Sequence, residues 1–563
     1  MLNHKHLALA PHSLAESHSR RRLVRESLFA NDSAYPGPFG EQPFLYFDGT
    51  ATGSPSRIIY EASRHLVQHR HGNSHGKSAG GLSALELFHG SFHAIRTIIG
   101  ASEQDLLWLT GSGATGAVHK FLELLGAKHH SRAAEVYGWN RADLSLSKRP
   151  LFITSLKEHH SNDLPFAESV GELRYVGFCE PTNDIDLDEL EMLLKAAQAE
   201  GRPYVVVSIQ GASNVDGSQN DMSAIARLAH RYGAYVGFDL ATHGSHRPIQ
   251  ARPGDDSETW PDFLFYSSHK LVGMGLDGNP GMLYVSERLL RGLDAMIGEI
   301  PVEVGGDTVI YTSAVPGKRV GYISDKHYWI GGSDNIGGAV RAALGLILRE
   351  WVGWEAIEAQ ERKLGDTMLH AFEGFYDSDP PIGLLGSFGR ERLPVFSFTT
   401  GGVRYTPERV IKRWNYLDHR LASLWLQQHF GLQLREGCAC AGKYGARLLG
   451  IPLPVMEKII ADIQSGNERS RPGWVRATVD WTHEPWDVAD LIGKLDEMRR
   501  SVWAIKCQYR QQPDGSFALR RPGQSWWSRF DEPYDAEVSA AWNRNHRTEV
   551  QGFLNFARGF FGI

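Results

Sequence analysis

Four cysteines in 563 residues, Cys179, Cys438, Cys440 and Cys507, are too few to make a disulfide framework in a chain of this size. Long apolar runs are also missing. One of the strongest, 339–348, is interrupted by Arg341 and falls far short of the roughly 20 residues that cross a bilayer, so transmembrane segments are excluded. Charge of one sign is scarce: 59 basic against 65 acidic side chains leave a formal charge of −6, which supplies no field to draw the chain to nucleic acid or to an anionic membrane. Residues 1–30 carry Arg20-Arg21-Arg22 but no continuous apolar segment leading to a small-residue cleavage site. A cytoplasmic location is therefore expected, with organelle import as the alternative. No fixed-period repeat and no low-complexity segment stands out.

What the chain does have is a regular alternation. Short apolar runs at 106–110, 151–155, 204–210, 234–240, 263–267 and 281–285 read as buried parallel strands. Helical spacing of apolar residues over 187–200 and 221–232 supplies crossovers, the second opened by Asp221 as a cap and closed by Gly233. This is an open α/β sheet, and in such sheets ligands bind outside the carboxyl ends of the strands. The loops after Thr110, Ser155, Gln210, Leu240 and Ser267 then surround one crevice. Beyond about residue 310, long helical stretches (338–350, 355–375) mix with runs at 395–400 and 474–479, which predicts a second, smaller α+β domain. The expected division is an N-terminal segment 1–43, a large domain 44–310, a small domain 311–504 and an appendage 505–563. The last is turn-rich around Trp526-Trp527 and then helical.

The crevice loops carry the chemistry. Gly111-Ser-Gly-Ala-Thr115 runs from strand into helix, where glycines allow close backbone approach and free amides make an anion site. It is neither a P-loop nor a dinucleotide fingerprint, since the third glycine and the acid ending the second strand are absent. The next strand ends in Glu158-His159-His160-Ser161-Asn162, which offers an imidazole able to stack on a flat cofactor. Gln210 to Gly217 includes Asn214, and Asp239 closes the strand 234–240. A carboxylate there can pair with a pyridinium nitrogen and make the ring an electron sink. Ser267-Ser-His269-Lys270 follows, a hydroxyl-rich turn with a lysine that can form a Schiff base once burial lowers its pKa.

In this order the motifs resemble those of the class V, fold-type I pyridoxal phosphate enzymes, and within them the cysteine desulfurase and selenocysteine lyase group. The resemblance spans about residues 44–500. It is carried by Leu45-Tyr-Phe-Asp48, Gly72-Asn-Ser-His-Gly76, Gly113-Ala-Thr115, Glu158-His159-His-Ser-Asn162, Ser213-Asn-Val-Asp-Gly217, Asp239, Ser267-Ser-His-Lys270, Gly332-Ser-Asp-Asn335, Arg435-Glu-Gly-Cys-Ala-Cys440 and Val475-Arg-Ala-Thr478. It implies a large domain with a mixed, mainly parallel sheet covered by helices on both faces, a smaller C-terminal domain, pyridoxal 5'-phosphate as cofactor and a homodimer with the active site at its interface. It further implies Lys270 as the cofactor-linked lysine, His159 stacked on the ring, Asp239 at the pyridine nitrogen and Asn214 near the ring oxygen. Ala114, Thr115, Ser267 and His269 would hold the phosphate, with Ser333 contributed from the partner subunit. Arg476 would clamp the substrate carboxylate, a task suited to a planar guanidinium, with Arg435, Asn73 and His75 also on the substrate side.

Two places separate this chain from the general pattern. Thr242 stands where the family usually has glutamine, so the group contacting the ring oxygen would be a hydroxyl or would come from elsewhere; His243 and His246 nearby are candidates for proton transfer or for lining the loop. In Gly437-Cys438-Ala-Cys440 the second cysteine aligns with the nucleophile of short-loop desulfurases, and the Cys-x-Cys form resembles the desulfurase-like domain of molybdenum cofactor sulfurases. A thiolate there would take sulfur from L-cysteine as a persulfide and leave alanine, for transfer to an acceptor protein. Packed small hydrophobes would explain the pair as well, and a metal site lacks a second ligand pair at zinc spacing. Two further readings stay open: another class V activity (aminotransferase, epimerase or carbon–sulfur lyase) in which Cys440 is incidental, and a non-catalytic scaffold.

Overall fold

The computed structural model describes residues 13–70, 72–140, 143–275, 280–316, 320–386, 391–401, 415–520, 542 and 544–562, and of 403–405 and 410–412 the backbone alone. Trp526 and Trp527 lie outside the described residues. Among the described residues three α-helices precede the main sheet: α1 (Leu14–Glu26), α2 (Arg57–Val67) and α3 (Ala79–Ile99). The large domain then runs through β1 (Leu106–Thr110), α4 (Gly113–Leu124), β2 (Leu151–Ser155), β3 (Glu172–Val176), α5 (Leu187–Ala199), β4 (Val205–Gln210), α6 (Met222–Arg231), β5 (Tyr235–Asp239), β6 (Phe263–Ser267) and β7 (Gly281–Val285). The seven strands lie in the order β1-β7-β6-β5-β4-β2-β3.

Strands β3, β2, β4, β5 and β6 pair in parallel, whereas β7 is antiparallel to both β6 and β1. The expectation of a parallel strand at 281–285 is corrected here. A strand buried on both faces shows the same apolar run in either direction, and among the described residues of the link from β6 to β7 only the single turn Ser268–Lys270 is helical. With no crossover helix to carry it back, the chain returns antiparallel. Strand β3 has no counterpart among the predicted strands, because Glu172-Leu-Arg-Tyr-Val176 is a half-buried edge and lacks a continuous apolar run. Helix α6 begins where its sequence predicts: Asp221 accepts from the Ala224 amide at 2.9 Å, and Gly233 at φ +69 stops it.

The second half of the chain contributes α7 (Ile336–Val352), α8 (Trp354–Tyr376), β8 (Ile382–Leu384), β9 (Val395–Thr400), α9 (His419–Phe430), β10 (Arg435–Gly437), α10 (Gly442–Leu448), β11 (Trp474–Thr478), α11 (Pro485–Arg500), a hairpin β12 (Tyr509–Gln511) and β13 (Phe517–Leu519), and α12 (Arg547–Phe561). Strands β8-β9-β11-β10 form a four-stranded sheet, antiparallel throughout. Residues from 505 onward do not act as one appendage. The β12–β13 hairpin belongs with the small domain, where the Tyr509 hydroxyl donates to Gln428 at 2.6 Å, while α12 inserts Phe553, Phe556 and Phe560 into the apolar core shared by α2, α3 and α7.

Helix α1 ties the two halves together. Its Leu23 and Val24 enter the large core, and its arginines reach the loop that follows β11. Arg21 donates to the Trp481 carbonyl at 3.1 Å and to Glu484 at 2.6 Å, with both side chains less than a tenth exposed. Arg25 donates to the Thr482 carbonyl at 3.0 Å and to Asp487 at 2.6 Å. Leaving one member of a buried pair unmatched costs about 3–5 kcal/mol, while replacing both by apolar groups is far cheaper. Arg21→Met is therefore expected to lower the unfolding free energy, read from denaturant titration, by that order, and Arg21→Met/Glu484→Met to recover most of it; equal midpoints for wild type and the single variant would contradict this role.

Candidate active site

A cavity of about 230 Å3 opens at the carboxyl ends of β1, β2, β4, β5 and β6, with β10 and β11 of the small domain closing its far side. At one end lie Ser112, Gly113, Ala114 and Thr115. The Ser112 side chain does not cap the start of α4, and the positive end of that helix suits a ligand anion. Gly113 has φ +58; a Cβ there would sit 2.9 Å from the Ser267 hydroxyl and 3.1 Å from the His269 ring. The cradle is shaped by the lack of that atom. Ser267 accepts from the Ala114 amide at 2.8 Å, and Thr115 and Ser161 share a hydroxyl bond at 2.7 Å. Burial, with Lys270 nearby, lowers the His269 pKa to about 4, so its ring is neutral.

The middle of the cavity suits a flat heteroaromatic ring. Asp239, at the end of β5, is buried and accepts from the Ala241 amide at 2.8 Å. Burial raises its pKa above the ordinary carboxylate range, against the opposing pulls of that amide and Lys270. A carboxylate so placed is best matched by a protonated ring nitrogen. His159 lines the cavity; its Nδ1 accepts from the Ser161 amide at 3.1 Å, and burial together with Lys270, His160, Arg476 and Arg435 lowers its pKa to about 3. It faces the ring site as a neutral imidazole. Asn214 donates to the Ala439 carbonyl at 2.7 Å, and its Oδ1 is buried with no partner among the described residues. Thr242 also lines the cavity. Beneath these, Glu158 accepts from Gln210 N at 3.1 Å and from Asn162 at 2.7 Å, with its pKa raised by burial to about 7.

Lys270 follows β6 directly and faces the same space. Burial lowers its pKa to about 8 against the opposing pull of Asp239. Across from it, Arg476 on β11 donates to the Asn214 carbonyl at 3.0 Å and to Asp48 at 2.8 Å, while its Nε is buried with no partner among the described residues. Arg435 on β10 lines the mouth. Cys440 also lines the cavity, in a turn where Ala439 and Cys440 have φ +49 and +56. Cys438 instead packs against an apolar cluster with Val215, Tyr444 and Trp474.

Two expected site residues are not brought to this cavity, and Ser333, expected from a partner subunit, does not line it either. Asn73 and His75 sit on an exposed turn, where His75 pairs with Asp307 at 2.8 Å and Asn73 accepts from the His75 amide at 2.9 Å. Ser333 is exposed on the segment before α7. Nor do His243 and His246 line the cavity; His246 is occupied by Glu361 at 2.8 Å. Conversely, sequence reasoning gave no role to Asp48 or Glu158, although both stand in the quoted motifs. The signal for Asp48 was its fixed place after Leu45-Tyr-Phe.

A family model described as aminotransferase class-V matches residues 45–449. The chain belongs to the aminotransferase class-V family. Among curated relatives of this class V chain, a probable cysteine desulfurase of Mycolicibacterium paratuberculosis is 28% identical over 367 residues, covering 64% of this chain and 47% of that protein. A cysteine desulfurase of Escherichia coli is 30% identical over 296 residues, covering 51% and 61%. The chain spans about half the length of the curated relatives it matches first. Among solved structures, the apo cysteine desulfurase of Thermococcus onnurineus is 21% identical with a TM-score of 0.62, covering 85% of this chain and 98% of that one. An Escherichia coli cysteine desulfurase is 19% identical with a TM-score of 0.58, covering 84% and 97%. The fold is thus the fold-type I architecture, and class V enzymes use pyridoxal phosphate.

The residues present fit that cofactor. The Gly113 cradle and the start of α4 suit its phosphate, the buried Asp239 its ring nitrogen, and Asn214 Oδ1, without a partner among the described residues, a donor at the ring edge. With a pKa about 8, roughly a tenth of Lys270 is an uncharged amine at pH 7. Capture of added pyridoxal phosphate as a borohydride-reducible adduct should then rise with pH and level off above about 8, and vanish in Lys270→Ala. A rise that continues toward the range of a solvent-exposed lysine would contradict the assignment.

Proposed function

We propose that this chain is a pyridoxal phosphate-dependent cysteine desulfurase that converts L-cysteine to L-alanine and retains the sulfur as a persulfide on Cys440. The observation that carries the reading is the presence of the Cys440 thiol in the same cavity as Lys270 and Arg476. When bound, pyridoxal phosphate supplies the electron sink that makes the substrate's carbon–sulfur bond breakable. Lys270 anchors the cofactor and, with its lowered pKa, moves the proton at the substrate α-carbon near neutral pH. Arg476, held by Asp48, binds the substrate carboxylate through its remaining N–H groups. The Cys440 sulfur bonds to the substrate sulfur as the carbon–sulfur bond breaks; the bonding pair stays with carbon, and a proton completes alanine. The persulfide then passes to an acceptor.

The four cysteines are unpaired, and no helix among the described residues is long and apolar enough to cross a membrane; we place the enzyme in the cytoplasm. We also assign it a homodimer in which the partner's copy of Ser333 completes the phosphate site. In support, Ser333 is exposed, and the preceding segment exposes Ile300, Ile310 and Tyr311 by 66, 74 and 66%, apolar side chains that a partner subunit would cover.

Two measurements test these assignments. The cofactor-loaded protein should release alanine from L-cysteine and carry a mass increment of one sulfur on Cys440, with turnover falling at least roughly a hundredfold in Cys440→Ala. Undiminished turnover in that variant would instead support another class V activity. Sedimentation should give a dimer that Ile310→Asp dissociates with weakened cofactor retention; a monomeric wild type that holds its cofactor would rule the dimer out.

A further inference from the structure

We infer that His160 is a positioning residue that fixes the turn aiming Cys440 into the cavity. The turn is an unusual one to hold. Among the described residues only four non-glycine positions have positive φ: Asn183, Asp307, Ala439 and Cys440. The first two are residue types that tolerate the left-handed region through their short polar side chains; alanine and cysteine have no such help, and here they are consecutive. The turn closes on its own bond from the Ala441 amide to the Cys438 carbonyl at 3.0 Å, and bonds from outside it add to that hold. Asn214 donates to the Ala439 carbonyl, and the backbone amide of His160 donates to the Cys440 carbonyl at 2.8 Å.

Helix α10 begins at once after the turn, and no side chain caps it in the usual way from Ala441. The cap comes from the other domain: Gly442 N donates to Nε2 of His160 at 3.3 Å. One residue thus grips the turn from both ends, through its amide and through its ring. For Nε2 to accept, the ring must be neutral with its proton on Nδ1. Burial holds its pKa below the usual histidine range, with Lys443 adding to this against the opposing pull of Asp163. The same junction is braced by the Lys443–Asp163 ion pair and by the Tyr444 hydroxyl on Asp216 at 2.7 Å. His160 does not itself line the cavity, so the paired histidines divide the work: His159 faces the ring site and His160 the thiol loop.

The kinetic consequence rests on the desulfurase reading; the geometric one does not. The test uses cofactor-loaded wild type, His160→Leu and His160→Gln, of which Gln can still present an acceptor oxygen to Gly442. In His160→Leu the visible absorbance of the cofactor and the KM for L-cysteine should stay within about twofold, while kcat falls by roughly a hundredfold, as expected when a reacting group is misplaced by about an ångström. His160→Gln should recover most of that loss. Iodoacetamide should label Cys440, read by peptide mass, several times faster in His160→Leu because the released turn exposes the thiol. Wild-type kcat in His160→Leu, or a Gln variant no better than Leu, overturns the inference. If the wild type itself yields no alanine, the desulfurase reading fails alone, and labelling decides: an unchanged rate overturns the role of His160, a faster one supports it.

Discussion

Burial of charge at the carboxyl edge of the main sheet is the constraint on which the site depends. Enclosure takes Lys270 from an ordinary lysine to a pKa of about 8, a difference of roughly 3 kcal/mol between its two protonation states. The same enclosure keeps His159 and His269 neutral, so one can stack on a ring and the other can bond a phosphate without adding charge beside the lysine. It also forces compensation. Arg476 can stay in this space because Asp48 and the Asn214 carbonyl take two of its donors, and Asp239, its pKa raised by desolvation, is left seeking a proton-bearing partner. A cofactor with an anionic phosphate at one end and a basic nitrogen at the other answers both demands.

The closure that produces this burial is built from the two ends of the chain. Trp351, at the end of α7, lies under the Arg20 guanidinium at 5.1 Å and against Phe553 of α12 at 5.3 Å. Just beyond it Gly353 breaks the chain direction at φ +97 before α8 leads into the small domain. Helix α1 also grips residues 481–487, immediately after the strand that carries Arg476. The ties are therefore placed where a small rotation of one domain would be felt at Arg476. Neither terminal helix contributes to the cavity, yet both bear on its geometry.

How much of this was legible in the sequence depends on the reach of each interaction. Gly113, Asp239 and Lys270 could be read because each stands at a strand end, where chemistry and backbone position are local properties. The helix cap at Asp221 was readable for the same reason. Asp48 and Arg476 are 428 residues apart, and no spacing rule connects them; only the folded sheet does. The direction of β7 was hidden because doubly buried strands look alike in either sense, and β3 because an edge strand buries one face only. Asn73 and His75 were assigned from a resemblance between motifs, which places a residue by its sequence neighbours and not by the cavity it reaches.

The Cys440 turn shows why local reading stops short at a reactive site. By local preference, Ala439 and Cys440 would adopt ordinary extended or helical backbone, and consistency between local and global structure is what makes most of a sequence foldable. Residues held in sparsely populated backbone regions cost of order 1–3 kcal/mol each, and the bond from the Ala441 amide to the Cys438 carbonyl that closes the turn is joined by support from outside it. That support comes from Asn214 and His160, both in the large domain, whereas the thiol belongs to the small one. The bonds that aim the thiol are thus formed only when the domains are together. The turn at Cys440 therefore joins, in a single set of hydrogen bonds, the contact between the domains and the placement of a thiol in the cavity.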